Sequence, residues 1–365
     1  MSKSEAVVDQ VNGVVKARPR PLPHGYTKHH IIFLEAIHLP LPPLDFDYDI
    51  TAYPHTPPEL IAERIRPGTI VISAVANVRP QDLAQAPNVQ MMLVLATGMA
   101  WVDKPWCAEH GVSVLNCPQS NIDAVTEHFL ALYLSSRKRV PIIDHLVKTS
   151  DEWAKTASLT KKVWPRGPPL GIRQETLGII GYGSLGRNIE AQMKALGVKK
   201  VLVAERRGAQ TIRPGRIAFE EMLQQATTIC IVCPREPDTI NLIDEDEFAM
   251  MREDALLVNI ARGGIVNEGA LARALRQGKI FGAATDVFDE EPSGPGLSPL
   301  LPDTARGEDP VPNLIVSSHI AWFSGRTIET LQGLAKLALE KFATGHMYDE
   351  DVRKSVVVHD GSVWR

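Results

Sequence analysis

The segment Thr176–Arg187, TLGIIGYGSLGR, constrains this chain more than any other. Its apolar start, Leu177 to Ile180, is too short for a helix and reads as a buried parallel strand that runs straight into Gly181-x-Gly183-x-x-Gly186. Glycines at this spacing between a strand and a helix form the dinucleotide-binding fingerprint. Gly181 permits the tight turn and Gly183 lets backbone approach a pyrophosphate. Gly186 lets the helix pack near the strand, its N-terminal N–H groups facing the anion. The following helix, Arg187 to Leu196, is stopped by Gly197, and a second strand, VLVAE, ends in Glu205. An acid about 20 residues past the glycines stands where it accepts hydrogen bonds from a ribose 2′-hydroxyl.

At 365 residues the chain has room for two domains with separate cores, and a net charge of −4 gives no reason to expect nucleic acid as a partner. No apolar run reaches the length of a membrane span, and the first thirty residues lack the blocks of a secretory signal. A cytoplasmic protein that does not engage membranes is expected. Cys107, Cys117, Cys230 and Cys233 are too few and too scattered for a disulfide framework. Cys230 and Cys233 share the apolar strand ICIVC, where residues three apart face opposite ways, so both are read as packing residues. Eleven histidines include no H-E-x-x-H and there is no second Cys pair, so no metal site is expected.

Residues 1–28, with the segment ARPRPLPHG, read as a poorly ordered N-terminal tail or an arm lying on a partner subunit. Four apolar runs follow: HIIFLEA (30–36), TIVISAV (69–75), VQMMLVLATG (89–98) and GVSVLNC (111–117). Alternating with short helical patterns, they predict a first α/β unit whose strand ends carry Asn77, Thr97, Gly98 and Asn116, each equally readable as a turn residue. A long helical pattern from Asn121 to Val147 is interrupted by Pro141, which places a hinge near Arg139 to Pro141. The expected domains are therefore a substrate domain from 29 to 140, a nucleotide domain from 141 to 323, and a C-terminal helix and tail, 324–365, returning to the substrate domain. The fold class is α/β: two Rossmann-like or flavodoxin-like domains with parallel, doubly wound sheets and a cleft between them. The Gly/Pro-rich insert 293–312 reads as an unusually long surface loop, and NLIVSSHIAW as the last strand.

Three clusters fall at the C-terminal ends of successive strands of the second unit, the edge at which open α/β sheets bind ligands. They are Asn259-Ile260-Ala261-Arg262-Gly263-Gly264, Asp286-Val287-Phe288-Asp289-Glu290-Glu291-Pro292 and Ser318-His319-Ile320-Ala321-Trp322. Arg262 alone reads as a surface charge, Glu291 as a solvated acid and His319 as a strand-end histidine. Together they are the parts for reducing a 2-keto acid. The guanidinium offers a bidentate fork to a carboxylate, the imidazole donates a proton to the developing alkoxide, and the acid stabilises the protonated ring.

The stretches GIIGYGSLGR, VNIARGGIVNEGALARALRQGKIFGAATDVFDEEP and SSHIAWFS resemble the D-isomer-specific 2-hydroxyacid dehydrogenase family, over a span from about Thr69 to Leu339. The resemblance implies that Arg262 binds substrate, Glu291 pairs with His319, and His319 is the acid/base. It further implies that Asp286 holds the nicotinamide carboxamide and that the backbone of Thr97, Gly98 and Met99 grips the substrate carboxylate. Coenzyme contacts are implied for Thr97, Gly181, Gly183, Ser184, Leu185, Gly186, Glu205, Arg206, Cys233, Ile260 and Ala261. Ser318 stands where the family usually has Pro, and Glu205 where Asp is commoner. Glu205 repels a 2′-phosphate, which favours NAD, while the adjacent Arg206 and Arg207 keep NADP open.

Trp322, in an Ala-Trp-Phe-Ser run similar to the glycerate/hydroxypyruvate reductase and C-terminal-binding-protein branches, is either a wall of the substrate pocket or a core residue. Ala76 and Asn77 stand where phosphoglycerate-type members tend to carry Arg, which argues against a phosphorylated substrate. The expected function is an NAD(P)-dependent D-2-hydroxyacid dehydrogenase, an oxidoreductase acting on the CH–OH group of glyoxylate- or hydroxypyruvate-type or apolar 2-keto/2-hydroxy acids, working as a homodimer. The alternative is an NAD(H)-binding sensor or corepressor-like scaffold with little turnover.

Overall fold

Near-continuous Val/Ile/Leu runs bury both faces of a strand, and such strands pair in parallel between layers of helices. In the computed structural model, which describes residues 10–11, 14–15, 19–99 and 101–365, they build two such sheets. The chain divides into two compact units, Met1–Ser120 with Ser324–Arg365, and Asn121–Phe323.

In the second unit six strands lie in the order Leu314–Val316, Gly282–Thr285, Leu256–Asn259, Thr228–Ile231, Thr176–Ile180, Lys200–Val203, with every pair parallel. The strand order reverses between Thr176–Ile180 and Thr228–Ile231, and a ligand of such a sheet sits outside the strand ends at that reversal. Gly181 and Cys233 meet there. A Cβ on Gly181, whose φ is +96°, would lie 2.5 Å from the Cys233 backbone nitrogen, so the close approach of the two loops requires glycine.

The first unit carries a seven-stranded sheet in the order Ser362–Val363, Val356–His359, Ser113–Asn116, Met91–Val94, Ile70–Ser73, His29–Phe33, Tyr48–Ala52. Its five parallel strands follow the flavodoxin-like order, with the first strand between the second and third. The sheet is not wholly parallel as expected: Val356–His359 and Ser362–Val363 add an antiparallel edge, made by a tight hairpin.

The domain boundary differs from the expected 140/141. Helix Ile122–Lys138 buries Val125, Phe129, Leu132 and Tyr133 in one cluster with Leu177, Ile179, Ile189 and Met193, so it belongs to the nucleotide unit. Arg137 fixes it there, fully buried beside Glu175 with Nε 2.6 Å from Oε1, and donating to the Thr227 carbonyl at 2.7 Å and the Asp254 carbonyl at 2.9 Å. Arg139, at φ +51°, ends this helix, and Pro141 sits in the first turn of the next, Val140–Thr149.

Of the expected tail 1–28, residues 1–9, 12–13 and 16–18 lie outside the described residues. From residue 19 onward it is tied down, Arg20 donating to the Gly111 carbonyl at 2.5 Å and to Asp360 at 3.2 Å. The four cysteines are free and buried. Cys230 and Cys233 pack into different clusters on opposite faces of the sheet, and burial pushes the Cys233 thiol up to about 11. Among the described residues no helix is long and apolar enough to cross a membrane.

Candidate active site

The fingerprint residues form a cradle. Helix Ser184–Ala195 starts directly at Gly183, and a Cβ on Gly183 would meet nothing within 4 Å, which leaves open space over the helix N-terminus. A Cβ on Gly186 would strike the Gly181 carbonyl at 2.4 Å. Leu185 is half-buried on the core cluster, while Cys233, Ile260 and Ala261 are buried along the same edge of the sheet.

Glu205 is not the free acceptor that the sequence suggested. Arg213 Nε donates to its Oε2 at 2.7 Å, Arg213 Nη2 contacts Oε1, the Arg206 N–H donates to Oε1 at 2.9 Å, and Arg216 Nε lies 3.9 Å from Oε2. The Arg213 hydrogen bond leads in holding the carboxyl at about 2. Arg213 carried no signal in the sequence, because it sits in a Gly/Pro loop without periodicity, eight residues beyond its partner.

The turn after strand Leu256–Asn259 is stitched by Asn259, whose Oδ1 accepts from Ala261 N at 3.0 Å and whose Nδ2 donates to the Arg262 carbonyl at 3.1 Å. Gly263 lets this turn press against the next loop, since a Cβ there would fall 1.7 Å from the Phe288 carbonyl oxygen. Arg262 is thereby brought near Glu291. Its guanidinium donates to the Ala261 carbonyl at 2.7 Å and keeps accessible surface, but the protein crowded around it disfavours the charge and draws its pKa down, with Glu291 opposing.

His319 Nδ1 lies 2.5 Å from Glu291 Oε2, and Glu291 Oε1 accepts from Phe288 N at 2.8 Å. Burial acts to raise the Glu291 carboxyl, but the hydrogen bond and charge of His319, the Phe288 N–H and Arg262 outweigh it and hold it below its usual range. His319 Nε2 has no hydrogen-bond partner among the described residues.

Only Leu314–Val316 of the expected last strand joins the sheet. Residues 317–322 turn away because Asp286, 1 % exposed, takes their donors: Ser317 Oγ at 2.6 Å, Ile320 N at 3.0 Å and Ala321 N at 2.9 Å. His319 adopts φ +54° in that loop and donates its N–H to the Asp286 carbonyl at 2.7 Å. Asp286 thus shapes the histidine loop, and any contact with a carboxamide is shared with these three donors. Ser317 Oγ also accepts from His128 Nε2 at 2.9 Å, a support the sequence did not reveal. Trp322 donates from Nε1 to the His319 carbonyl at 3.1 Å and packs half-buried on the core cluster.

Arg262, Asp286, Glu291, His319 and Trp322 therefore share one edge of the nucleotide unit. Thr97, Gly98 and Met99 belong to the other unit, in the loop that follows strand Met91–Val94. There Asn116 donates to the Thr97 carbonyl at 2.8 Å, and the Met99 side chain is buried in that unit's core.

The family model of the D-isomer specific 2-hydroxyacid dehydrogenase NAD binding domain matches residues 130–321. The chain belongs to the D-isomer-specific 2-hydroxyacid dehydrogenases. A glycerate dehydrogenase of Methylorubrum extorquens is 32% identical over 320 residues, covering 86% of this chain and 96% of its own. A glyoxylate reductase of Aeropyrum pernix is 30% identical over 338 residues, covering 89% and 95%. Among solved structures, D-lactate dehydrogenase from Aquifex aeolicus, complexed with NAD and lactic acid, superposes with a TM-score of 0.71 at 21% identity over 90% of this chain and 99% of that one. As a member of this family the chain is an NAD(P)-dependent oxidoreductase acting on CH–OH groups. Its glycine cradle, open above Gly183 and closed by Gly181 and Gly186 beneath, fits a dinucleotide pyrophosphate.

Proposed function

We propose that this dehydrogenase reduces a small 2-keto acid, of the glyoxylate, hydroxypyruvate or apolar type, to the D-2-hydroxy acid, with His319 as acid/base. The observation that carries the reading is the His319–Glu291 pair, whose geometry leaves Nε2 as the ring's outward nitrogen. With the nearby carboxylate stabilising the imidazolium, Nε2 gives its proton to the carbonyl oxygen and retakes it in the oxidative direction. Arg262 orients the substrate and offsets charge developing on that oxygen. The Thr97–Met99 backbone holds the substrate carboxylate. When bound, the reduced nicotinamide supplies the hydride that the carbonyl carbon receives, so hydride and proton together convert C=O to CH–OH.

The names of the relatives, glycerate dehydrogenase and glyoxylate reductase, support substrates of this size. A cytoplasmic homodimer completes the proposal. Helix Val140–Thr149 buries none of its ten residues although one of its faces is apolar, and Val140, Ile142, Val147 and Trp153 nearby stand exposed.

The test is oxidation of NADH and NADPH, followed by absorbance, against glyoxylate, hydroxypyruvate, pyruvate, phenylpyruvate and branched 2-keto acids. His319→Ala should lower kcat by about 10²–10⁴-fold while coenzyme affinity is retained. Absence of turnover with every acid would overturn the function, and an undiminished kcat in His319→Ala would remove His319 from it.

A further inference from the structure

We propose that Arg365 is a further substrate-binding residue, its guanidinium holding the carboxylate of a monocarboxylic 2-keto acid beside the Thr97–Met99 loop. This rests on the dehydrogenase reading above and adds to it a residue that no part of the sequence pattern singled out.

The topology of the first unit brings Arg365 to the edge where the parallel strands end. Strand Val356–His359 enters at that edge, Asn116 N donating to the Ser355 carbonyl at 2.9 Å, and runs antiparallel to Ser113–Asn116. The hairpin then reverses, Val363 pairing with Val358 and Trp364 N donating to the Val357 carbonyl at 2.8 Å. Arg365 consequently returns to the ligand edge, where Lys104 Nζ donates to its main-chain oxygen at 3.1 Å.

Its side chain is fixed there. Nε donates to the Val356 carbonyl at 3.3 Å and Nη2 to Asn116 Oδ1. Asn116 is 2 % exposed, and its Nδ2 donates to the Thr97 carbonyl at 2.8 Å, so one buried amide ties the guanidinium to the loop. Among the described residues Nη1 has no hydrogen-bond partner and no carboxylate side chain forms an ion pair with Arg365. A fixed guanidinium with an open N–H face suits a carboxylate.

Farther along the same edge the charge changes sign. Glu35, 2 % exposed, accepts from Ala74 N at 2.9 Å and Ala76 N at 2.6 Å beneath the loop after strand Ile70–Ser73. A ligand with its single anionic group toward Arg365 and an uncharged tail toward Ala76 matches both ends. A second carboxylate or a phosphate on the tail would approach the edge that holds the buried Glu35 carboxylate.

The test compares the full chain with Arg365→Ala and Arg365→Lys. Arg365→Ala should raise KM for glyoxylate and pyruvate by about tenfold or more, the loss of one charge-assisted hydrogen bond, with kcat within about twofold and coenzyme Kd unchanged. Arg365→Lys should fall between, and added guanidinium ion should lower the KM of Arg365→Ala. Oxamate binding to the coenzyme-loaded protein, read by calorimetry, should weaken in parallel and reports the contact without turnover. An unchanged KM and oxamate affinity in Arg365→Ala would overturn the inference while leaving the dehydrogenase reading intact. A coenzyme Kd that rises together with KM would overturn it in favour of a structural role. Absence of turnover by the unmodified protein would instead strike the function itself.

Discussion

Arg213 grips Glu205 through both oxygens of its carboxylate, with Nε at 2.7 Å from Oε2 and Nη2 on Oε1. The acid that closes the second strand of the nucleotide unit is therefore engaged before any ribose arrives. With the Arg206 N–H and Arg216 beside it, two guanidinium groups and a backbone donor surround one carboxylate. The expectation of NAD over NADP assumed a free Glu205, and the clamp removes much of the repulsion toward a 2′-phosphate.

Coenzyme choice should consequently turn on Arg213. In Arg213→Ala the 2′-hydroxyl of NADH gains an acceptor, while the 2′-phosphate of NADPH loses a cation and meets a bare carboxylate. Both changes push the ratio of Kd for NADPH to Kd for NADH upward, by tenfold or more if each amounts to a charge-assisted hydrogen bond of about 1.5–3 kcal/mol. Fluorescence titration of the two reduced coenzymes reads the ratio directly. A ratio equal to that of the unmodified protein would show that Glu205 does not face the ribose.

The same pair predicts a pH dependence of stability. The Glu205 carboxyl sits at about 2 in the folded chain against an ordinary 4.5, chiefly through the Arg213 hydrogen bond. A carboxylate with a depressed folded value stabilises the fold above its unfolded value and loses that contribution as pH falls toward the folded one. The Tm difference between the unmodified protein and Glu205→Gln should be full at pH 7 and close as pH drops from 4.5 to about 2. Because the Arg213 side chain is 54% exposed, high salt should shrink the difference at neutral pH. A difference that persists at the acid end would assign the stabilisation to packing.

Residues whose place in the fold follows from spacing along one strand and turn were legible in the sequence. Gly181 and Gly186 could be read because close packing leaves no other residue type, Gly183 by its place in the fingerprint, and Arg262, Glu291 and His319 because each follows a buried apolar run by a few residues. What could not be read depends on partners brought together from a distance. Arg213 reaches Glu205 from an irregular loop, Asp286 draws residues 317–322 off the sheet, and Arg365 arrives by a hairpin. Strand Tyr48–Ala52 escaped notice because it is an edge strand with mostly exposed side chains after a Pro-rich run, so it lacks the buried pattern of its neighbours. The boundary shifted because the Asn121–Val147 pattern is two helices broken at Arg139, the first of them committed to the nucleotide core by Phe129, Tyr133 and the buried Arg137–Glu175 pair.

The second of those helices gives the remaining prediction. An apolar helix face left open to water marks a contact surface. Val140–Thr149 offers Val140, Ile142 and Val147 to solvent, with Trp153 of the following short helix, and a second copy of the chain is the cover that the proposed homodimer supplies. Burying these side chains contributes roughly 25 cal/mol per Å² of apolar surface, so removing several at once should dissociate the pair without unfolding either copy. Light scattering on a sizing column should find a dimer for the unmodified protein and a monomer for Ile142→Glu combined with Val147→Glu, the far-ultraviolet circular dichroism of the two being alike. A monomer in the unmodified protein at micromolar concentration, or a dimer that survives both charges, would place the subunit contact elsewhere or remove it.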